Sequence, residues 1–275
     1  MNTRDPRSAR ALAAAAALAL PLLTALPAQA APHEVFYDAL GDSYAAGSGA
    51  APGDACGRND AAFPHVLDGR MRVALDDFAA CGGARIPDLL GQLSVLDGDT
   101  DLVTVSIGGN DIRWGDAVTA CLVYGEDQCA ATVAAIAQGI QTQLPGALDA
   151  AYGQISAAAP GAHVVVTGYP RLFSPEYGDY AGTLPGTQIP YLASVAEQQL
   201  LNDGADLLNA VIADVAAAHG FQVVDVTHRF TGHGVNAPDA WITGIDHPVP
   251  FHPTADGQHA YGVALRSQLD PRSLR

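Results

Sequence analysis

The chain has 275 residues, 49% of them hydrophobic, and a formal net charge of −16. All 13 of its basic residues are arginine, and so acidic a chain is a poor electrostatic partner for nucleic acid or for anionic membranes. We therefore expect no nucleic-acid partner. The apolar fraction and the length suit one domain with a full hydrophobic core.

The first 30 residues have the pattern of a secretory signal peptide. Arg4, Arg7 and Arg10 precede an apolar run at 11–26, and Ala-Gln-Ala at 28–30 is a small-residue cleavage site. The apolar run is short for a membrane span, and no later segment approaches one. We therefore predict a secreted, extracellular protein with no integral membrane segment, in which residues 1–30 are removed and residues 31–275 form a single domain.

Strand-like runs alternate with helix-like segments along the mature chain. The runs are apolar or β-branched, and the segments between them are rich in alanine or leucine. Strands are predicted at 34–40, 72–80, 101–107, 162–167 and 221–226, and helices at 86–96, 132–159, 191–219 and from Pro253 to about Leu269. Alternating strands and helices predict a parallel sheet that is covered on both faces.

The first predicted strand ends in Gly-Asp-Ser-Tyr at 41–44. Gly41 lets the backbone turn sharply, which places Ser43 at the carboxyl end of the strand, the edge where ligands bind in open α/β sheets. Ser43 is therefore a candidate nucleophile. Asp42 and Ser43 also suit the cap of a following helix, and for this motif alone the cap is the better interpretation.

Three further stretches lie at or after predicted strand ends. Two glycines at 82–83 precede a helix and leave backbone N–H groups exposed to an anion. Gly-Gly-Asn-Asp at 108–111 follows the strongest strand, and the Asn110 amide there is a hydrogen-bond donor. His252 comes directly before a proline suited to the first turn of a helix. Taken one at a time, these are also explained as two ordinary turns and a lone histidine.

Together these residues supply what acyl transfer needs, namely a nucleophile, a base and donors for the developing oxyanion. At this point the sequence resembles the SGNH (GDSL) hydrolases, and most closely their secreted actinobacterial esterases and lipases. The resemblance rests on four motifs in order along the mature chain: Gly-Asp-Ser-Tyr at 41–44, Ala-Cys-Gly-Gly-Ala at 80–84, Gly-Gly-Asn-Asp at 108–111 and His-Pro at 252–253.

The resemblance implies a flavodoxin-like three-layer α/β/α sandwich with a mainly parallel five-stranded sheet, the SGNH hydrolase fold. It implies Ser43 as nucleophile, His252 as general base, and an oxyanion hole made of the N–H groups of Ser43 and Gly83 and the Asn110 amide. It implies no cofactor, and we expect no metal. The expected function is a secreted serine esterase or lipase that cleaves a small-molecule or lipid ester through an acyl-enzyme. We also expect a monomer.

Two alternatives remain open from the sequence. A carbohydrate O-deacetylase would use the same catalytic machinery, and a non-catalytic extracellular binding module would keep the fold without a reactive serine. For an esterase, we expect Trp114, Leu122, Tyr124 and the long loop at 172–190 to line the acyl groove.

The four cysteines of an exported chain indicate disulfides. Three pairings are possible. Proximity in sequence favours Cys121 with Cys129, as the staple of a loop, which leaves Cys56 with Cys81, and the resemblance supports the same pairs. A zinc site is the alternative, but no Cys-x-x-Cys pair or histidine cluster accompanies these residues.

The sequence departs from the family at the group that orients the catalytic histidine. The family usually has Asp three residues before that histidine, where this chain has Val249. We predict a Ser43–His252 dyad in which the Val249 main-chain carbonyl accepts from the imidazole. Asp246 is the alternative, although the prolines on either side of Val249 hold the chain extended and should carry Asp246 away.

Overall fold

A computed structural model describes residues 33–270 and 274 of the chain. The predicted signal peptide at 1–30 lies outside the described residues. The strands are β1 (Val35–Gly41), β2 (Val73–Phe78), β3 (Leu102–Ser106), β4 (His163–Thr167), β5 (Tyr180–Thr183), β6 (Pro190–Ala193) and β7 (Gln222–Val224).

The helices have the following bounds: α1 (Ser43–Ala46), α2 (Phe63–Leu67), α3 (Ile86–Gln92), α4 (Trp114–Val123), α5 (Glu126–Thr142), α6 (Leu144–Ala158), α7 (Val195–Ala218) and α8 (Ala255–Gln268). In the part of the chain that the structure describes, no helix is both long enough and apolar enough to cross a membrane.

Five strands form one parallel sheet in the order β2-β1-β3-β4-β7, while β5 and β6 pair as a separate antiparallel hairpin. This is the flavodoxin-like strand order, and ligands bind beyond the carboxyl ends of its strands. The predicted fold class is therefore confirmed, and the main sheet is parallel throughout.

Successive side chains along a strand point to opposite faces of the sheet, and a hydrophobic core lies on each face. Val35 and Tyr37 of β1 point into one core with α2 and α8, whereas Val103 and Val105 of β3 point into the other with α3 and α6. The central strands β1 and β3 are buried on both faces, as their apolar runs in the sequence predict, whereas the edge strand β2 exposes Asp76 and Asp77. Burial of each such side chain stabilises the fold by about 1.5–3 kcal/mol.

Two predicted helices have different bounds in the structure. The helix predicted at 132–159 is two helices, because Pro145 lies in the first turn of α6, where a proline is tolerated, and could not continue α5. The helix predicted at 191–219 begins only at Val195. Ser194 caps it, and Glu197 bonds back to the Ser194 N–H in a capping box. The residues before this cap form β6.

The structure contains disulfides Cys56–Cys81 and Cys121–Cys129. The sequence predicts that the Cys121–Cys129 bridge closes a loop. In the structure Cys121 lies in α4 and Cys129 in α5, so the bridge joins two helices. The expectation failed because α4 was not predicted. The chain reverses between the two helices through Gly125, whose φ of 81° favours glycine.

Candidate active site

Ser43 is the first residue of α1, directly beyond the end of β1, and it is buried. Gly41 has a φ of 130°, and a Cβ there would lie 2.3 Å from the Ser106 carbonyl oxygen, so the turn requires glycine. The Gln92 side chain holds this strand end from both sides: it accepts from the Gly41 N–H (2.7 Å) and donates to the Gly41 carbonyl (2.9 Å). The backbone that presents Ser43 is therefore tightly fixed.

His252 reaches Ser43 across the carboxyl edge of the sheet. Its Nε2 lies 2.8 Å from Ser43 Oγ, and its Nδ1 lies 2.8 Å from the Pro250 carbonyl oxygen. Because a carbonyl can only accept a hydrogen bond, Nδ1 carries the proton in a neutral ring. Nε2 is then free to accept the proton of the Ser43 hydroxyl, which is the geometry of an activated serine.

The prediction that the Val249 carbonyl orients His252 is wrong, since the Pro250 carbonyl takes that place. Phe251 has a φ of 59°, so the chain turns just before the histidine, and the extended path expected from the prolines is broken. The Val249 carbonyl instead accepts from the Thr243 hydroxyl (2.8 Å). Among the described residues no hydrogen bond joins the alternative, Asp246, to His252.

Thr243 holds the loop that carries the base. Its hydroxyl accepts from the His252 N–H (3.0 Å), its N–H donates to the His252 carbonyl (2.8 Å), and its carbonyl accepts from the Phe251 N–H (3.0 Å). The Tyr44 hydroxyl also donates to the Phe251 carbonyl (2.7 Å). Sequence reasoning did not find Thr243, because its role depends on the turn at Phe251.

Burial lowers the pKa of His252 below its ordinary value. The hydrogen bond to Pro250 opposes this shift, and the neighbouring His247 adds to it. Desolvation disfavours the charged imidazolium, so the ring is neutral, and able to accept a proton, at neutral pH.

The other candidate donors lie on two adjoining turns. Asn110 lines the same cavity as Ser43, and its Nδ2 donates one hydrogen to the Ala84 carbonyl (2.9 Å), which leaves the second amide hydrogen available. Gly83, with a φ of 77°, lies in the turn that ends at Ala84 and is not among the cavity-lining residues. In the described part of the chain, the N–H groups of Ser43 and Gly83 have no acceptor.

A buried hydrogen-bond chain connects the Ser43 turn to the Asn110 turn. The Tyr169 hydroxyl donates to the Asp42 carboxylate (2.5 Å) and accepts from the Gly109 N–H (3.1 Å). Burial raises the pKa of Asp42 to about 7, against the lowering effect of the Tyr169 hydrogen bond. Sequence reasoning missed Tyr169, although its position just after β4 is the signal that singled out the other site residues.

An apolar cavity of about 440 Å³ opens beside Ser43 and His252. Its volume lies within the range of small-molecule sites. Of the residues expected to line it, Trp114, Leu122 and two leucines of the 172–190 loop do so, while Tyr124 is 66% exposed and lies outside. Its apolar wall includes Trp114, Val118, Leu122, Leu172, Leu184 and Leu208.

An acidic cluster of Asp38, Asp76 and Asp77 is the arrangement among the described residues closest to a cation site. Both Asp38 carboxylate oxygens already accept hydrogen bonds, from the Asp77 N–H (3.0 Å) and the Thr100 hydroxyl (2.6 Å). Asp38 lies in β1 before the strand end and does not line the cavity, so this cluster has no part in the candidate site.

Residues 39–260 match the GDSL-like lipase/acylhydrolase family. Lipase 1 of Streptomyces coelicolor is 40% identical over 231 residues, which cover 81% of this chain and 82% of that protein. A lipase of Streptomyces rimosus is 38% identical over 263 residues, which cover 91% of this chain and 94% of that protein.

Two solved structures are similar over nearly the whole described region. The extracellular lipase of Streptomyces rimosus superposes with a TM-score of 0.76 at 37% identity, covering 86% of this chain and 100% of that one. Phospholipase A1 of Streptomyces albidoflavus superposes with a TM-score of 0.75 at 36% identity, with the same coverage of 86% and 100%.

Proposed function

The chain belongs to the GDSL-like lipase/acylhydrolase family, and from that premise we propose that Ser43 and His252 hydrolyse carboxylic esters through an acyl-enzyme. Membership makes the chain a carboxylic ester hydrolase, and the proposal concerns the residues that perform the reaction. The observation that carries it is the 2.8 Å hydrogen bond between Ser43 Oγ and His252 Nε2.

In the first half-reaction, Ser43 Oγ attacks the ester carbonyl carbon while His252 Nε2 takes the hydroxyl proton. The carbonyl oxygen becomes an oxyanion, for which the N–H groups of Ser43 and Gly83 and the Asn110 amide are the proposed donors. Loss of one such donor typically costs about 10²–10³ in kcat. The tetrahedral intermediate collapses, and the imidazolium gives its proton to the leaving alcohol.

In the second half-reaction, water takes the place of the alcohol. His252 Nε2 accepts a proton from the water as the water attacks the acyl carbon, and the new tetrahedral intermediate releases the carboxylic acid. The proton returns to Ser43 Oγ, which restores the free enzyme. Throughout the cycle, the Pro250 carbonyl keeps the proton of Nδ1 in place.

The substrates proposed are esters with an apolar acyl chain, including lipid esters. The apolar cavity beside Ser43 supports this class and argues against a carbohydrate deacetylase, whose acyl group is only acetyl. The names of two relatives, a lipase and a phospholipase A1, support it as well.

We further propose that the protein acts outside the cell after cleavage near residue 30. The arginines and apolar run of residues 1–30 support export, as does the description of the similar Streptomyces rimosus structure as an extracellular lipase. That the mature protein is a monomer stays a prediction.

Labelling with a fluorophosphonate tests the proposed nucleophile. The reagent should modify Ser43 and abolish hydrolysis of p-nitrophenyl butyrate, and Ser43→Ala should be neither labelled nor active. Ser94→Ala is the matched control, because Ser94 is an exposed serine away from the cavity. Labelling of another residue, or full activity in Ser43→Ala, contradicts the proposal.

A further inference from the structure

Trp114 forms part of the wall of the apolar cavity, and its indole ring rests against a glycine of α7. Trp114 is the first residue of α4 and lines the cavity together with Leu122 of the same helix. A Cβ placed on Gly204 would lie 2.6 Å from Cη2 and 2.9 Å from Cζ3 of the Trp114 ring. Real Cβ atoms do not approach other atoms this closely, so the ring occupies space that any other residue at 204 would fill.

Nothing in the local structure of α7 calls for a glycine at 204. It is the single glycine in a helix of 24 residues, and glycine weakens a helix interior relative to alanine. Its φ is not positive, so the backbone there accepts any residue. The close approach of the Trp114 ring is therefore the reason that the structure offers for this glycine.

The cavity is open space beside the ring. Trp114 lines it together with Ala205 and Leu208, the neighbours of Gly204 on α7. On the α5 side, Val133 lies 3.8 Å from the Cβ position of residue 204. A methyl group at 204 would push the indole into that space and shorten the cavity.

We propose that Gly204 and Trp114 together determine the length of the acyl chain that the enzyme accepts. This inference rests on the proposed function, because it assigns the cavity beside Ser43 to the acyl group. The glycine lets the indole lie back against α7, which leaves room for the extended apolar chain of a medium- or long-chain fatty acid ester. A larger residue at 204 restricts the enzyme to short acyl chains.

The experiment measures kcat/KM for p-nitrophenyl acetate, butyrate, octanoate and laurate with the mature enzyme and its variants. Gly204→Ala should lower the ratio of laurate to acetate by at least about tenfold, since the fit of a single methylene in an apolar pocket is worth about 10–200-fold. Adding Trp114→Ala to Gly204→Ala should restore the ratio, because the displaced ring is then gone. Trp114→Ala alone should raise it.

Gly139→Ala is the matched control. Gly139 is also a glycine inside a helix, α5, but no atom lies within 4 Å of its Cβ position. Its laurate-to-acetate ratio should equal that of the wild type.

An unchanged ratio in folded Gly204→Ala overturns the inference, and so does a loss that is equal for every ester. If Gly204→Ala does not fold, Trp114→Ala alone decides the matter: an unchanged ratio overturns the inference, and a raised one supports it. Wild-type inactivity toward the whole series, or activity in Ser43→Ala, would overturn the proposed function itself. A normal wild-type series with an unchanged ratio in Gly204→Ala overturns only the present inference.

Discussion

The Pro250 carbonyl occupies the place next to His252 Nδ1 where a catalytic triad has a carboxylate. A carbonyl fixes the tautomer of the ring as well as a carboxylate does. It brings no full negative charge, however, and so stabilises the imidazolium less. For this reason the desolvation of His252 is not fully offset, and its pKa lies below the ordinary value.

The pH dependence of hydrolysis follows from this shift. The base must be neutral, so kcat/KM falls as pH drops through the pKa of His252 in the free enzyme. Because burial lowers that pKa, the midpoint of the acid limb should lie below about 6.5, the ordinary histidine value. Rates on p-nitrophenyl butyrate in buffers of constant ionic strength measure it. A midpoint above the ordinary value would indicate a carboxylate partner for His252.

Asp246→Asn should have little effect on hydrolysis, because the hydrogen bond that orients His252 comes from the main chain. We expect kcat to fall by less than about tenfold, or about 1.4 kcal/mol of barrier. Asp127→Asn, on an exposed position of α5, is the control for the loss of one surface charge. An orienting carboxylate changed to its amide costs about 10⁴ in kcat, so a loss of that order in folded Asp246→Asn would establish a triad.

Asp42, the residue before the nucleophile, makes the stability of the protein depend on pH. Its pKa is raised by burial to about 7 in the folded state, against about 3.9 in the unfolded chain. Between these values the folded state holds a proton that the unfolded state has lost. The contribution of Asp42 to the free energy of unfolding is therefore fully present below about pH 4 and is lost as pH rises to about 7.

Asp42→Asn should remove this contribution and keep one side-chain oxygen, which can accept from the Tyr44 N–H, while its amide nitrogen replaces the oxygen that accepts from the Tyr169 hydroxyl. Between about pH 5 and about pH 7 the wild type should lose the Asp42 contribution to its free energy of unfolding, and the variant should not. The free energy of unfolding of the variant should therefore rise relative to that of the wild type over this range. Urea unfolding of both proteins at the two pH values measures it, and the other titrating groups cancel in the comparison. A difference that does not change with pH would show that the Asp42 pKa is not raised.

At the scale of the elements, the candidate site is assembled from turns that follow parallel strands and from the loop before α8, which carries His252. The turn after β2 is tied to the end of β1 by the Cys81 N–H, which donates to the Gly41 carbonyl (3.0 Å), and to the preceding loop by the Cys56–Cys81 disulfide. The Gly82 N–H also donates to the Cys56 carbonyl (2.7 Å). The disulfide therefore holds the turn that carries Gly83.

Removing this disulfide should affect both stability and catalysis. The double variant Cys56→Ala/Cys81→Ala opens a loop with a sequence separation of 25, which should lower the free energy of unfolding by about 3.5 kcal/mol. We also expect kcat for p-nitrophenyl acetate to fall by about tenfold, because small misplacements of a catalytic group are costly. Urea unfolding and steady-state kinetics measure the two effects.

The double variant Cys121→Ala/Cys129→Ala is the control. The disulfide that it removes joins α4 to α5 and does not touch the Gly83 turn. Its loop is shorter, with a separation of 8, and the loss of stability should be about 2.5 kcal/mol. We expect its kcat for the acetate ester to match that of the wild type. Equal falls in kcat for both pairs would contradict the role given to Cys56–Cys81.

The sequence predicts those parts of the site that depend on short apolar strands and the turns after them. The strand before Ser43 and the strand before Asn110 are buried on both faces, and such runs are visible in the sequence. Because the sheet is parallel, their turns meet at one edge. His252 lies instead in the loop before α8, and the sequence indicates it by the proline that follows it at the start of that helix.

The remaining parts depend on backbone and packing choices that leave no local pattern. Phe251 adopts a positive φ, which is rare for a bulky residue, and this turn decides that Pro250, and not Val249, orients the histidine. Tyr169 is significant only because its hydroxyl lies between Asp42 and Gly109. Such contacts between distant turns exist only after the chain has folded.

At the scale of the whole molecule, folding brings together a nucleophile and a base that are 209 residues apart in sequence. The sheet provides the rigid edge, and the helices on its two faces bury it, so the turns that carry Ser43 and Asn110 are fixed relative to each other. The molecule is strongly acidic, with a net charge of −16, which favours neutral over anionic substrates in the encounter.

The central claim is that Ser43 carries the acyl group during hydrolysis, and trapping that intermediate tests it most directly. p-Nitrophenyl pivalate is suited to this, because its branched acyl group slows the attack of water and lets the acyl-enzyme accumulate. An acid quench followed by peptide mass analysis should find the pivaloyl group on the peptide that contains Ser43, and on no peptide of Ser43→Ala. Release of p-nitrophenol by the enzyme with the pivaloyl group on a different residue, or with none on Ser43, would contradict the account.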